Sequence, residues 1–366
     1  MIRPMPSEPR RILIVRLGAI GDVARVLPML AGLRRRFPHA EIDWVVQSKA
    51  AGLLDGHPEI ARLWVVPFRS WREAFTRAAW RLRRAMRARG YDLVLDFQGM
   101  IKGAVWAVAA GGPGVRVGWG PGHSQNLAWL WYHGVRTPAG RRVNRHLRHR
   151  ALVDWLGAPD VPATPPPLGG AIGGVVEAFL DRISAAPRPW IVVWPGSSRT
   201  GSHKRWDPAR LREAAMAIRA RTGGTLLVGW GPAEKEEALA LASEIPGAEP
   251  IPPTTIPELA LLLERADLYV GMDTGPMHVA ALFGTPAVGV FGRSDPEIHG
   301  PAAHLPGRAV AGPEAREWKT RTRRGLPPFE EPEPAAVVEA ALDLLAERGH
   351  PAGAIVGKRA DPSRGR

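Results

Sequence analysis

Short continuous apolar runs recur along the chain, and between them lie longer stretches whose apolar residues return at helical spacing. Ile12-Leu13-Ile14-Val15, within Arg11–Arg16, is the first run. Ile42–Val46, Ala61–Val66, Tyr91–Asp96 and Val115–Gly118 follow. Uninterrupted apolar strands suit a parallel sheet covered on both faces. The segments between them, Val23–Arg36, Trp71–Arg89 and 101–110, read as helices. Trp71, Phe75 and Leu82 mark the apolar side of the second, and Pro28 is placed to kink the first. The pattern pauses at the linker VPATPPPLGG, Val161–Gly170. It restarts with a helix at Val175–Ile183 and strands at Trp190–Trp194, Thr225–Gly229, Ala266–Met272 and Pro286–Phe291. Helices at Pro208–Arg221, Glu234–Ser243, Ile256–Glu264 and Ala335–Glu347 complete the second half. Such alternation implies βαβ units, hence an α/β protein of two Rossmann-like, doubly wound domains. The expected divisions are 1–168, 169–350 and a polar tail, 351–366, expected to be disordered.

At 366 residues the chain is long for one core, in keeping with two domains. The absence of cysteine excludes disulfides and thiolate zinc sites and fits a reducing compartment. The first fifteen residues hold Pro, Glu and several Arg, and ILIV is too short for a signal-peptide core. No run of about 18 apolar residues predicts a membrane span, so a cytoplasmic protein is expected. The formal charge of +14 admits nucleic acid, an anionic membrane surface or acidic small molecules as partners, with arginine-rich coding as the plain alternative. Two clusters go beyond coding bias. Arg69, Arg72, Arg77, Arg81, Arg83, Arg84, Arg87 and Arg89 face only Glu73. Residues 133–150 hold six arginines with His133, His146 and His149 and no acid. No nucleic-acid-binding module or aromatic-interleaved basic strand is recognisable, so no specific nucleic-acid partner is expected.

The densest chemistry lies in VGMDTGPMHVAALFG, residues 270–284. A strand ends on Asp273, Thr274-Gly275-Pro276 turns the chain, and a helix follows through His278. A strand entering a helix through such a turn presents unpaired N–H groups and a positive dipole end, a site that suits phosphate. An Asp N-cap before a core helix is the plainer alternative. Ligands bind at the carboxyl ends of strands in open α/β sheets. Pro195-Gly196-Ser197-Ser198 falls at such an end, with Lys204 downstream as a point cation. Glu234, after Gly229-Trp230-Gly231, suits a ribose hydroxyl or equally the first turn of a helix. In the first half, Gly18-x-x-Gly21-Asp22 follows the first strand. It is neither a dinucleotide fingerprint nor a P-loop. Asp22 alone reads as an N-cap. With two Rossmann-like halves facing across a cleft, it would instead lie opposite the phosphate site, placed as a general base toward an acceptor hydroxyl. The cationic site would then stabilise a departing diphosphate.

Together RLGAIGD (16–22), YDLVLDFQGMIKGA (91–104), PGSS…HKRW (195–206) and DTGPMHVAALFGTP (273–286) resemble glycosyltransferase family 9, the ADP-heptose:lipopolysaccharide heptosyltransferases, over roughly residues 10–345. DWVVQ and YDLVLDFQGMIK look more like heptosyltransferase I than II. The resemblance implies a GT-B fold with the acceptor on the first domain and the donor on the second. It implies inverting transfer from ADP-heptose, as substrate and with no cofactor or metal, to a Kdo-lipid A type acceptor. Asp22 matches the general base and Lys204 the lysine on the donor phosphates. Asp273 matches the aspartate near the donor sugar, while Thr274, Gly275 and Met277 match the pyrophosphate turn. Ser197, Ser198, Glu234 and His278 join the donor side, and Arg16 and Lys102 match basic positions facing the acceptor. An acceptor held at the inner face of the inner membrane would give the arginine clusters anionic headgroups to meet, making the protein peripheral. The chain departs from the pattern at His123-Ser124-Gln125-Asn126, where heptosyltransferase I proteins commonly carry an Arg-Glu pair. It also lacks the cysteines that many members carry near the C-terminal end. A family relative with another nucleotide-sugar or acceptor, and a basic nucleic-acid-binding protein, are the alternatives.

Overall fold

Arg11–Val15 forms β1, the middle strand of a five-stranded sheet in the computed structural model, and Ile12 to Val15 are wholly enclosed. The structure describes residues 8–66, 76–111, 114–121, 123, 127–132, 143–162, 165–168, 172–196, 204–292, 294–302, 305–312 and 331–349. The chain divides into two compact units. One is Met1–Ile172 with Thr255–Ala260, and the other is Gly173–Thr254 with Leu261–Arg366.

In the first unit β2 (Glu41–Gln47), β3 (Arg62–Val66), β4 (Leu93–Asp96) and β5 (Val115–Val117) join β1 in the order β3-β2-β1-β4-β5, all parallel. The register sets Val15 beside Val45 and Asp96. The helix expected over 23–36 is two helices, α1 (Ile20–Val26) and α2 (Met29–Arg36). Pro28 heads the second, where its missing N–H is harmless and its ring cannot continue the preceding turn. A short α3 (Ser48–Ala51) follows β2. On one face of the sheet lie α4 (Arg77–Arg89) and α5 (Ile101–Ala109), followed by a 3-10 turn at Ala128–Trp131. Met86, Trp106 and Ala107 carry that face into the core with Leu13, Val15 and Val94. A further helix, α6 (Arg145–Asp154), packs against α1 and α2.

The second unit opens with α7 (Gly174–Ile183) and β6 (Trp190–Trp194). Then come α8 (Pro208–Thr222), β7 (Thr225–Val228), α9 (Lys235–Glu244), β8 (Glu249–Pro250), α10 (Ile256–Arg265, in this unit from Leu261 onward), β9 (Leu268–Met272), α11 (Gly275–Leu282), β10 (Ala287–Phe291), α12 (Pro296–His299), β11 (Gly307–Ala311) and α13 (Pro334–Glu347). The parallel sheet runs β11-β10-β9-β6-β7-β8. In chain order within the unit this is the Rossmann sequence 3-2-1-4-5-6. Local chemistry sets the helix ends. Asp207 Oδ1 accepts from the Ala209 N–H (2.7 Å) ahead of Pro208, and Gly223, with φ of 69°, takes the left-handed residue that ends α8. Leu211, Ala214 and Ile218 of α8 and Val337, Ala341 and Leu344 of α13 fill one side of this sheet.

The short edge strands β8 and β11, and α6, were not expected from the sequence. Trp71 and Phe75, Ser197 and Ser198, most of the 133–150 cluster (133–142), positions 124–126 and the tail 351–366 lie outside the described residues. Among the described residues no helix is long and apolar enough to cross a membrane.

Candidate functional site

In a doubly wound sheet the strand order reverses between two neighbouring strands, and their carboxyl ends open a crevice. The reversal falls between β1 and β4 in the first unit and between β6 and β9 in the second. The sequence motifs sit at these two places.

At the first, β1 runs directly into Arg16, which is 6% exposed. Its Nη1 donates to the Phe97 carbonyl at the end of β4 (2.6 Å), and its Nη2 pairs with Asp22 Oδ2. Asp22 Oδ1 takes Arg25 Nη1, one helical turn on, at 3.3 Å. Asp22 therefore lies inside the first turn of α1, with Ala19 at the cap, and is no N-cap. Burial pushes its carboxyl up, but Arg16 and then Arg25 outweigh burial and hold it well below the usual carboxylate range. His149, from α6, is enclosed beside them, edge-on to Phe97 with 5.7 Å between ring centres. Burial first, then Arg16, holds its ring well below the usual histidine range against the pull of Asp22, so it is neutral. Its Nδ1 and the Arg16 Nε have no hydrogen-bond partner among the described residues. Lys102, in the first turn of α5, is lowered by desolvation and then by Arg16, while Asp22 pulls it up. Arg16, Asp22 and Lys102 thus share one electrostatic neighbourhood.

The end of β4 adds a group that sequence reasoning passed over. Asp96 is fully buried. Its Oδ1 accepts from the Gln98 N–H (2.6 Å) and the Gly99 N–H (3.3 Å), and its Oδ2 accepts from the Tyr132 hydroxyl (2.7 Å). Burial raises it to about 6 against the opposing pull of these bonds and of Arg16. Asp96 fixes the DFQG turn, and Gln98 Oε1 in turn accepts from the Leu17 N–H (3.2 Å), tying that turn to the loop after β1. Arg25 had a legible signal, the i, i+3 spacing to Asp22. The Asp96–Tyr132 pair had none, because its partners are 36 residues apart.

At the second reversal β9 delivers Asp273. Its Oδ2 accepts from Lys204 Nζ (2.6 Å), its backbone carbonyl accepts from the same Nζ (3.2 Å), and its Oδ1 lies 3.4 Å from His278 Nε2. Asp273 is not the cap of α11 either. Thr274 holds that position, its hydroxyl donating to the Met272 carbonyl (3.3 Å) and standing 3.5 Å from the Tyr269 hydroxyl. Gly275, Pro276 and Met277 make the first turn, where an amide has no acceptor within the helix. The Met277 side chain is wholly enclosed, so it is through its N–H that this residue can meet a ligand. Glu234 precedes α9 and is buried. Its Oε2 accepts from the Trp194 indole N–H (3.0 Å) and the Gly231 N–H (3.1 Å), joining the end of β6 to the loop after β7. The structure thus brings Lys204, Asp273, Thr274 and His278 together, and sets Glu234 on the next strand end.

The family model described as glycosyltransferase family 9 (heptosyltransferase) matches residues 79–321. Lipopolysaccharide heptosyltransferase 1 of Pseudomonas aeruginosa is 30% identical over 305 residues, 79% of this chain and 81% of that protein. Its namesake from Escherichia coli K12 is 29% identical over 298 residues, 79% of this chain and 90% of that one. Among solved structures, the E. coli heptosyltransferase WaaC with ADP matches with a TM-score of 0.66 and 27% identity, covering 84% of this chain and 95% of that one. A family 9 glycosyltransferase from Veillonella parvula, 20% identical with a TM-score of 0.76 over 92% of this chain and 98% of that one, shares the fold. The two parallel-sheet units are of the GT-B class.

Proposed function

The chain belongs to glycosyltransferase family 9 and is a glycosyltransferase, and from this premise we propose that it transfers heptose from ADP-heptose to the Kdo region of a lipopolysaccharide precursor. The observation that carries the donor side is the meeting of Lys204, Asp273 and the start of α11 at the strand-order reversal of the second sheet. A cation, a turn containing glycine and a helix N-terminus are what a nucleotide diphosphate needs. The E. coli relative was solved with ADP and with ADP-2-deoxy-2-fluoro heptose.

In the proposed reaction the acceptor hydroxyl oxygen attacks the anomeric carbon from the face opposite the diphosphate. The new C–O bond forms as the bond to the diphosphate oxygen breaks. The hydroxyl proton passes to Asp22, and ADP leaves with the bonding electron pair, so the configuration inverts. Lys204 and the amides of Gly275 and Met277 meet the charge that grows on the leaving group, with no metal required. Asp22 is in its proton-accepting form at any working pH, because Arg16 and Arg25 hold it ionised. The same pairing makes it a weak base. An anionic acceptor that draws either arginine to itself would strengthen the base as it binds, which suits a Kdo carboxylate. Lys102 and Arg16 serve that acceptor. The acceptor is held by lipid, so the protein works at the inner face of the inner membrane.

The test is a donor panel, with ADP release measured against a Kdo-lipid A acceptor. Acceptor-dependent release from ADP-heptose, and not from UDP- or GDP-sugars, is expected. Release from another nucleotide-sugar alone would move the protein to a different specificity within the family.

A further inference from the structure

The face of the first unit covered by α4, α5 and the 3-10 turn carries a surface that the transfer reaction does not use. The three elements are contiguous, α4 on α5 and α5 on the turn. Their inner sides complete the core, yet their outer sides also carry large apolar side chains. Ile101, Val105 and Val108 return every three or four residues along α5 and are all exposed. Leu130 and Trp131 of the turn, and Leu127 just before it, are exposed beside them, and Trp80 of α4 is 59% exposed. These are seven of the thirteen large apolar side chains exposed among the described residues. A concentration of that kind marks an interaction surface.

The charge around it is of one sign. The α4 segment RAAWRLRRAMRAR contains no acid, and Arg77, Arg81, Arg84 and Arg87 point outward. Arg84 stacks on Trp80, 5.5 Å from the ring centre. Arg83 turns inward between the two helices, over the Trp106 ring at 5.1 Å, and its Nε and Nη2 are enclosed with no hydrogen-bond acceptor among the described residues. Outward arginines with no acid among them, at the edge of an apolar stripe, suit an anion that arrives with apolar matter.

We propose that this face docks the protein on an anionic lipid bilayer. The aliphatic side chains of α5 and the turn enter the interface, the indoles sit at its boundary, and the arginines of α4 take headgroup phosphates. Nucleic acid would satisfy the arginines and leave Val105, Val108 and Leu130 in water, whereas a bilayer takes both kinds of group. The inference rests on the membrane-held acceptor proposed above, and it assigns the contact to named residues.

The test is flotation of the full chain with vesicles of phosphatidylcholine containing phosphatidylglycerol, and with pure phosphatidylcholine vesicles, at low and high salt. Two double variants, R81E/R84E and V105S/L130S, are run beside wild type after a thermal melt shows them folded. Wild type is expected to bind the anionic vesicles, to release them in high salt and to ignore neutral ones. R81E/R84E should lose binding by about 25-fold or more, since one surface arginine carries roughly a five-fold effect. V105S/L130S should weaken binding several-fold with the salt dependence kept. Vesicle binding equal to wild type in both variants overturns the assignment. So does an absence of wild-type vesicle binding, or retention of a duplex oligonucleotide in place of vesicles. Heptose transfer to a deacylated, water-soluble acceptor separates the two readings, because it should be unchanged in both variants. Transfer without docking defeats this inference alone, and docking without transfer defeats the proposed reaction alone.

Discussion

Glu234 is the residue at which a structural and a ligand-binding role can be separated by measurement. Its Oε2 accepts from the Trp194 indole at 3.0 Å and the Gly231 N–H at 3.1 Å, and the residue is buried. Truncation in Glu234→Ala leaves both donors without an acceptor in a closed site. Hydrogen bonds to a charged group contribute about 1.5–3 kcal/mol each, so the two together come to about 3 kcal/mol at the low end. For a domain of this size each kcal/mol moves the midpoint by about 2–4 °C, so a fall of about 6–12 °C is expected. Glu234→Gln keeps an oxygen able to accept from both donors, and a fall of about 2–4 °C is expected from the weaker neutral acceptor. The assay is a circular-dichroism melt of the full chain, paired with ADP titration calorimetry. If the second carboxylate oxygen also takes a ribose hydroxyl, the Gln variant loses ADP affinity while it keeps its fold. An Ala variant that melts within 2 °C of wild type, against the ~6 °C minimum, would refute the two-bond reasoning.

Two further outcomes follow from the packing. Asp96 is raised by burial to about 6 from 3.8, so the folded state holds a proton that the unfolded chain gives up between these values. The contribution of Asp96 to stability should therefore fall as pH rises through 4–6, by on the order of 2–3 kcal/mol, read as the difference between wild type and Asp96→Asn, since neutral His149 adds a slope of opposite sign to both proteins. Asp96→Asn should abolish the Asp96 contribution and melt no lower than wild type at pH 7, because its oxygen can serve Gln98 and Gly99 while its amide donates to the Tyr132 oxygen; urea melts across pH 4–8 check both points. Gly229→Ala would drive a methyl group into the Trp194 ring, and a loss of about 1–3 kcal/mol in the same melts is expected.

The strands at Ile12–Val15, Tyr91–Asp96, Trp190–Trp194 and 268–272 were legible because both their faces are buried, which leaves a continuous apolar run. The edge strands were not. Gly307–Ala311 leaves Arg308 and Ala309 exposed, and Glu249–Pro250 is too short to carry a pattern. Helix α6 was read as a charge cluster, because it buries His146, His149 and Arg150 beside Leu152 and Val153. Arg150 tolerates this by donating to the Pro159 carbonyl (2.9 Å) and pairing with Asp154. In the candidate site, contiguous motifs located Asp22 and the 273–278 turn. The arginine clamp on Asp22 is local, from Arg16 and Arg25, whereas the buried Asp96–Tyr132 pair depends on chain segments that only the fold brings together. The outward apolar stripe of α5 was hidden for another reason, since helical spacing of apolar residues does not say whether the face they mark is buried.

The most direct test of the central claim is heptose transfer from ADP-heptose to Kdo-lipid A by wild type beside Asp22→Asn, with both proteins shown folded at the assay temperature. The expectation is acceptor-dependent ADP release by wild type and a loss of at least about a hundred-fold in kcat for the variant, the scale of a positioned general base. Equal rates in the two proteins would contradict it and leave Asp22 as no more than the partner of Arg16 and Arg25.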